Sequence, residues 1–366
     1  MILEDLHRSP RMETMRLALG GATVSLPATA AAFASLVDLT LESMEFAVDS
    51  GHLTHLLSSV CCPRLQKLRL REVSFPTSRM LEDMELLIKA EELLELSWEE
   101  VIGPPDILRL RTPRLRVLRT VDGNLSELTL SAPRLEELLF LDGQPYSKID
   151  IDGELPCVRS LRVELTSHAD YYGGCYDETN GGTFSLFRCC TAAACLDLDL
   201  YVFEQEKQYV NIIEGRIPQL PQVTSLTVHV SLYDLHSFGF GIADILAQCS
   251  NLKYLRICCT FRMDNDFDSP FLCNHQDNWH SHVVYCLPHL EEVEFMGLAG
   301  TECELWFMES MLTSTTQLHK VTISFDPKSS LKNRTHAFER IPPLQDNGTW
   351  TCCHEPYLSL EWKLSL

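Results

Sequence analysis

The residues best equipped for chemistry fall in one stretch of the chain. Cys273, His275, His280, His282 and Cys286 place two thiols and three imidazoles within 14 residues, the donor types that hold tetrahedral zinc. Their spacing matches none of the common zinc modules, and a polar stretch rich in His and Asn reads as a solvated loop, so no metal or other cofactor is expected. Just before it, Asp264-Asn265-Asp266-Phe267-Asp268 imitates the opening of a calcium loop. Its sixth position is Ser269, where the turn needs glycine, and its twelfth is His275, where a bidentate glutamate should close the site. No phosphate-binding loop, dinucleotide glycine fingerprint or serine elbow occurs, and no catalytic Cys-His pair stands out among 15 cysteines and 13 histidines. No catalytic residue is assigned, and the chain is expected not to be an enzyme.

The charge narrows the partners. A formal net charge of −21 over 366 residues disfavours nucleic acid and anionic membrane, which need clustered Lys and Arg to neutralise phosphate. An unknown protein is the expected partner. Adjacent cysteine pairs (Cys61-Cys62, Cys189-Cys190, Cys258-Cys259, Cys352-Cys353) are badly placed to staple separate loops. They read mostly as reduced, small core residues of a cytoplasmic or nuclear protein. The apolar start around Arg16-Leu17-Ala18-Leu19 is not read as a secretion signal. Glu4, Asp5 and Glu13 spoil a basic leader, and Gly20-Gly21 and Pro27 break the apolar run. No apolar run is long enough to span a membrane.

What must position any functional residues is a repeat. An apolar residue, two variable residues, an apolar residue, one variable residue and an apolar residue recur along the chain. The instances are Leu36-Leu39-Leu41, Leu65-Leu68-Leu70, Leu93-Leu96-Trp98, Leu135-Leu138-Phe140, Val158-Leu161-Val163, Cys195-Leu198-Leu200, Val223-Leu226-Val228, Leu252-Leu255-Ile257, Leu290-Val293-Phe295 and Leu318-Val321-Ile323, with Leu115-Leu118-Thr120 weaker. Their first positions lie on average about 28 residues apart, near the 20 to 29 of leucine-rich repeats. The expected fold is therefore α/β: a leucine-rich-repeat solenoid with a parallel concave sheet. Helices on its convex side are expected at Leu53 to Val60, Met80 to Ala90, Ile242 to Cys249 and Glu304 to Leu312. In the middle repeats, extended segments at Ile107 to Leu110 and Leu125 to Leu130 replace them. The organisation expected is an N-terminal partial repeat over 1–32, and irregular repeats over 33–283 with loop insertions near 166–183 and 262–282. A C-terminal repeat region over 284–326 and a tail over 327–366 with a possible last strand complete it.

The wording Cys61-Cys62-Pro63-Arg64-Leu65-Gln66-Lys67-Leu68 and Ala132-Pro133-Arg134-Leu135-Glu136-Glu137-Leu138 resembles the leucine-rich domain of plant F-box proteins. Leu287-Pro288-His289-Leu290-Glu291-Glu292-Val293-Glu294-Phe295-Met296-Gly297, followed by Glu304 to Leu312 and Leu318-His319-Lys320-Val321-Thr322-Ile323, resembles the FBD region of that family, which gives 284–326 its FBD-like label. The resemblance implies that the repeats select a substrate for an SCF ubiquitin ligase. Only 35 residues precede the first strand, so the F-box is read as absent here, and the SCF adaptor as a partner only of a longer product that carries one. The alternative is a sensor fragment of a plant nucleotide-binding immune receptor, which also uses irregular repeats.

Alternation within each strand then predicts a surface. Residues flanking the second apolar position of a unit face outward, which lays out Val117, Arg119 and Val121 beside Glu137, Leu139 and Leu141, then Ser160, Arg162 and Glu164, then Asp197, Asp199 and Tyr201. Apolar side chains rimmed by arginine are the composition of a protein-binding hot spot. The candidate contact residues are Val117, Arg119, Val121, Leu139, Leu141, Arg162 and Tyr201. The competing readings are coverage by the 166–183 insertion, or a one-residue register error that makes these residues core.

Overall fold

A computed structural model of the chain describes residues 11–24, 33–46, 50–75, 85–103, 107–123, 125–141, 148–166, 180–202, 213, 215–232, 241–261, 287–329, 331–340, 348–353 and 359–364. They fall into two compact units, residues 1–164 with 180–193, and residues 165–179 with 194–366.

The first unit has two parallel sheets. Its main sheet takes β1 (Thr14–Val24), β2 (Asp38–Phe46), β3 (Lys67–Ser74), β5 (Glu95–Glu99), β7 (Val117–Val121), β9 (Glu137–Leu141) and β11 (Ser160–Thr166) in that order. The second takes β4 (Glu85–Lys89), β6 (Ile107–Arg111), β8 (Glu127–Ser131) and β10 (Lys148–Ile151). Among the described residues its helices are α1 (Ser50–Leu56) and α2 (Gly181–Cys189), both short. The strands stack in register, so the repeat positions become ladders: Leu39, Leu68, Leu96, Leu118, Leu138 and Leu161 are all buried, as are Leu41, Leu70, Trp98, Thr120, Phe140 and Val163. Leu86 and Ile88, Leu108 and Leu110, and Leu128 and Leu130 are the buried rows of the second sheet. Burying such rows removes apolar surface from water at about 25 cal/mol per Å².

One backbone device sets the register. The carbonyl of Val37 accepts from both Gln66 and Lys67 amides, that of Gln66 from Leu94 and Glu95, that of Leu94 from Arg116 and Val117, and that of Arg116 from Glu136 and Glu137. The second unit repeats the pattern: Ala194 serves Thr224 and Ser225, Thr224 serves Lys253 and Tyr254, and Lys253 serves Glu291 and Glu292. The residue ahead of each strand thus holds the next repeat at one fixed offset, independent of how long the return leg is.

The second unit's sheet runs β12 (Cys195–Val202), β13 (Ser225–Leu232), β14 (Tyr254–Phe261), β15 (Glu292–Leu298), β16 (Lys320–Phe325), β18 (Ser359–Leu364) and β17 (Gly348–Cys353). The first five are parallel and the last two join antiparallel, so the expected last strand of the tail is a hairpin. Among the described residues its helices are α3 (Ile242–Gln248), α4 (Glu302–Ser314) and α5 (Leu331–Arg340). Thr301 caps α4, with Glu304 closing the capping box, which satisfies amides the first turn leaves open.

Several expectations need correction. Residues 85–89 of the expected Met80 to Ala90 helix are the strand β4, because Leu86 and Ile88 alternate inward beside Leu108 and Leu110; residues 80–84 lie outside the described residues. The insertion expected to run to residue 183 ends earlier, since α2 begins at Gly181 and buries Gly182 and Thr183. The repeat read as Cys195-Leu198-Leu200 is out of phase by two residues: Leu196 pairs with Leu226 and Leu198 with Val228, so its members are Ala193, Leu196 and Leu198, and Cys195 is exposed. Of the cysteines, Cys157 is exposed as well, Cys61, Cys62, Cys190, Cys249 and Cys259 are buried thiols, and Cys303 is disulfide-bonded. Residues 264–268, 273–286 and 167–179 lie outside the described residues, and with them the zinc-like and calcium-like runs and most of both insertions.

β1 also has a consequence for solubility. Gly20 and Gly21 take positive φ of 58° and 82° and break the pairing between Ala18 and Ala22, a bulge that spoils the outer strand as a template for another chain. Deleting residues 1–24 passes the edge to β2, whose pairing with β3 skips Ser43 but keeps one register throughout. Size-exclusion chromatography of that deletion is expected to show concentration-dependent association, and an unchanged monomer peak would contradict this role of β1.

Candidate protein-interaction face

The outward positions of the first unit's main sheet form a grid three residues deep. Asp38, Lys67, Glu95, Val117 and Glu137 make one row, Thr40, Arg69, Ser97, Arg119, Leu139 and Arg162 the next, and Glu42, Arg71, Glu99, Val121 and Leu141 the third. At the β2 end the grid is ionic. Arg16 pairs with Glu42 at 2.7 Å, and Lys67 with Glu95 at 2.8 Å. The hydrogen bond from Arg16 holds the Glu42 carboxyl below its ordinary range. Such exposed pairs contribute little to stability and mainly fix where charge is presented. Between these rows lies a recess of about 210 Å³ lined by Asp38, Lys67, Arg69, Glu95, Ser97 and Arg119 among others. Arg69 is exposed there and makes no ion pair or hydrogen bond among the described residues.

Towards β9 the grid turns apolar. Val117, Val121, Leu139 and Leu141 are half-exposed while Leu118, Thr120, Leu138 and Phe140 between them are buried. Arg119 pairs with Glu137 at 3.6 Å and lies opposite Leu139, with half-exposed Arg162 on the other side of Leu139. These six side chains are thus brought onto one face of adjacent strands. Tyr201 is half-exposed on β12 of the second unit, and the phase correction puts it one alternation further along its strand than the grid assumed, opposite Ser231.

Among the described residues the second unit's outward face is mostly polar, with half-exposed Met296 an exception. His229 lies 3.1 Å from Asp197, Tyr254 donates to Glu294 at 3.0 Å, and Arg256 and Lys320 both approach Glu294 at 3.6 Å. Alternation gave Asp197 and Asp199 but not His229, Cys258 or Arg256, because those belong to repeats for which no outward grid was laid out. Among the described residues no group of three or more His, Cys, Asp or Glu side chains is placed to hold a metal ion, and no helix is long and apolar enough to cross a membrane.

Stacked parallel strands, one per repeat, with leucines filling the same inward positions, define a leucine-rich-repeat protein, a class whose repeats serve protein interaction. Residues 7–161 match the family model described as "FBD-associated F-box protein At5g56370, LRR repeats", so the repeats of this stretch are similar to those of an FBD-associated F-box protein. No curated protein and no solved structure matches the chain.

Proposed function

We propose that this chain is a non-enzymatic recognition module that selects a protein substrate, in the role the repeats play in an F-box-type receptor of an SCF ubiquitin ligase. The contact surface is the outward face of β7, β9 and β11. The observation that carries the reading is the placement of Val117, Val121, Leu139 and Leu141 as half-exposed neighbours beside Arg119 and Arg162. An apolar centre with arginine at its rim gains binding energy from desolvation and from the planar guanidinium. The similarity of residues 7–161 to F-box-associated repeats favours this role over an immune-receptor sensor. The 284–326 region is proposed to be FBD-like. An SCF adaptor is engaged only through an F-box in a longer product, with the cytoplasm or nucleus as the site of action.

The test is the double substitution Leu139→Ser with Leu141→Ser. Both side chains are half-exposed, so stability should fall by no more than about 1 kcal/mol, against about 2–5 kcal/mol for Leu138→Ala in the buried row. A photo-crosslinking residue at position 139 should capture partners that one at Thr129, on the second sheet, does not. With an F-box fused to the chain, those partners should be ubiquitinated by a reconstituted ligase, and the double variant should abolish both signals. A double variant that folds normally and keeps every partner overturns the reading.

A further inference from the structure

The middle row of the first unit's outward grid has a composition at odds with the rest of the chain. It reads Thr40, Arg69, Ser97, Arg119, Leu139 and Arg162 across adjacent strands, with arginine at every second place and no carboxylate, in a sequence of 51 acidic and 30 basic residues. The acids stand in the rows on either side, Asp38, Glu95 and Glu137 in one and Glu42 and Glu99 in the other. Ser97 is the short side chain of the row, and register puts Arg69 on one side of it and Arg119 on the other. Two long side chains flanking a short one leave the recess of about 210 Å³ that these three residues line.

The cations around this recess differ in what holds them. Lys67 stands between Asp38 and Glu95 and is taken by Glu95 at 2.8 Å. Arg119 reaches Glu137 at 3.6 Å, an exposed pair that a ligand can exchange at little cost. Arg69 is exposed and makes no ion pair or hydrogen bond among the described residues. Ser97 donates its hydroxyl to Glu99, which leaves the flanking guanidinium groups as the donors on either side of it. An unpaired guanidinium facing a second one suits a planar acceptor with two oxygens, which each can meet through parallel N–H bonds. The acids of the neighbouring rows repel such an acceptor everywhere but in the middle row.

We infer that the recess seats a carboxylate side chain of the partner, an aspartate or glutamate in an extended segment, three residues from an apolar side chain that packs on Leu139. The inference rests on the recognition face proposed above and adds the chemistry that face reads. Ser97 and Leu139 are two strands apart in one row, about 9.6 Å at about 4.8 Å per strand. A polyproline II segment crossing the strands repeats its side-chain direction every three residues, after about 9.3 Å. An acid and an apolar residue at that interval therefore meet the recess and Leu139 together, in either chain direction. Arg119 stands between the two positions, where its guanidinium serves the carboxylate and its stem covers the apolar residue.

The probe is a random-peptide display library selected on the unaltered chain, with the Leu139→Ser, Leu141→Ser double variant used to remove peptides that bind elsewhere. The selected peptides should share an acidic residue three positions from a large apolar one, a result read without any change to the recess. Replacing that acid by its amide in a selected peptide should weaken binding to the unaltered chain by about tenfold in fluorescence anisotropy. The same replacement should cost less than about twofold against the Arg69→Gln variant, because the partner of the acid is already gone. Arg69 is exposed, and an unchanged melting curve by circular dichroism reports that the variant is folded. Peptides that need Leu139 but carry no acid at a fixed interval, or whose acid matters equally to the variant, overturn this inference and leave the recognition face standing. An interval of seven, about 10.5 Å along a helix, overturns the extended segment. A selection that yields no peptide dependent on Leu139 and Leu141 overturns the recognition face, and this inference with it.

Discussion

Trp98→Ala is expected to lower the stability of the first unit by about 3–5 kcal/mol, the largest loss available from one side chain in its core. Trp98 is 0% exposed and stands in the inward ladder between Leu70 and Thr120, and Thr120 is followed by Phe140. The ladder alternates in bulk there: threonine fits because tryptophan and phenylalanine flank it, with its hydroxyl donating to the Leu139 carbonyl at 3.4 Å. Removing the indole leaves a void that a five-residue strand paired on both sides cannot close, and it removes the weak 3.4 Å bond from Nε1 to the Gly123 carbonyl. Chemical denaturation followed by circular dichroism measures the effect, and Trp98→Phe should recover most of it. A loss below about 1 kcal/mol would mean that the ladder repacks.

A second large effect depends on pH. Glu304 is 1% exposed at the start of α4, where its carboxylate accepts from the amides of Ala299, Gly300 and Thr301 at 3.2, 2.8 and 2.8 Å. Burial pushes its pKa from 4.5 up to about 7, against the opposing pull of those amides. Below 4.5 the acid is protonated whether the chain is folded or not. Between 4.5 and about 7 the folded state keeps a proton that the unfolded state has released, so stability falls as pH rises and levels off above that window, by about 3 kcal/mol in all. Glu304→Gln should flatten this dependence. At pH 5, where the folded state carries the neutral acid, it should change the stability of the second unit by no more than about 1 kcal/mol, because one neutral group replaces another. Urea denaturation between pH 5 and 8 checks both. A stability that rises with pH in the unaltered protein, and loses that rise in the variant, would show the carboxylate ionised and held by its amides.

The repeat was legible because its information is local: an apolar residue at the same three places in each unit, with a turn before it. Even the weak unit Leu115-Leu118-Thr120 forms a strand, its threonine tolerated by the neighbours rather than by its own character. The return legs were harder. Met80, Leu81, Met84 and Leu87 satisfy a helical spacing, yet the sheet partners of Leu86 and Ile88 decide residues 85–89 as strand. β10 is four residues long with Ile149 as its one buried side chain, too little pattern to register. The phase error at Cys195 has a specific cause. Alternation has period two, so a shift of two residues keeps every face correct and only pairing reveals it. That error mattered for the site, because it would set Tyr201 beside His229 where Asp199 stands. Asp197 and His229, in contact at 3.1 Å, are about 30 residues apart, a distance that conceals contact in most folds. In stacked repeats the same interval signals it, once the phase is right.

The carbonyl that serves two amides of the next repeat gives the chain a mechanical polarity. Each link is anchored by the earlier repeat and borrowed by the later one, so a repeat peeled from its C-terminal neighbour loses only an acceptor's duties. One peeled from its N-terminal neighbour has two amides stranded. Tension applied at the two ends of either unit should therefore release it in discrete steps of one repeat. The contour lengths of those steps would follow the uneven return legs, short for the middle repeats of the first unit and long where insertions intervene, while the force at each step stays nearly the same because the rupturing link is the same.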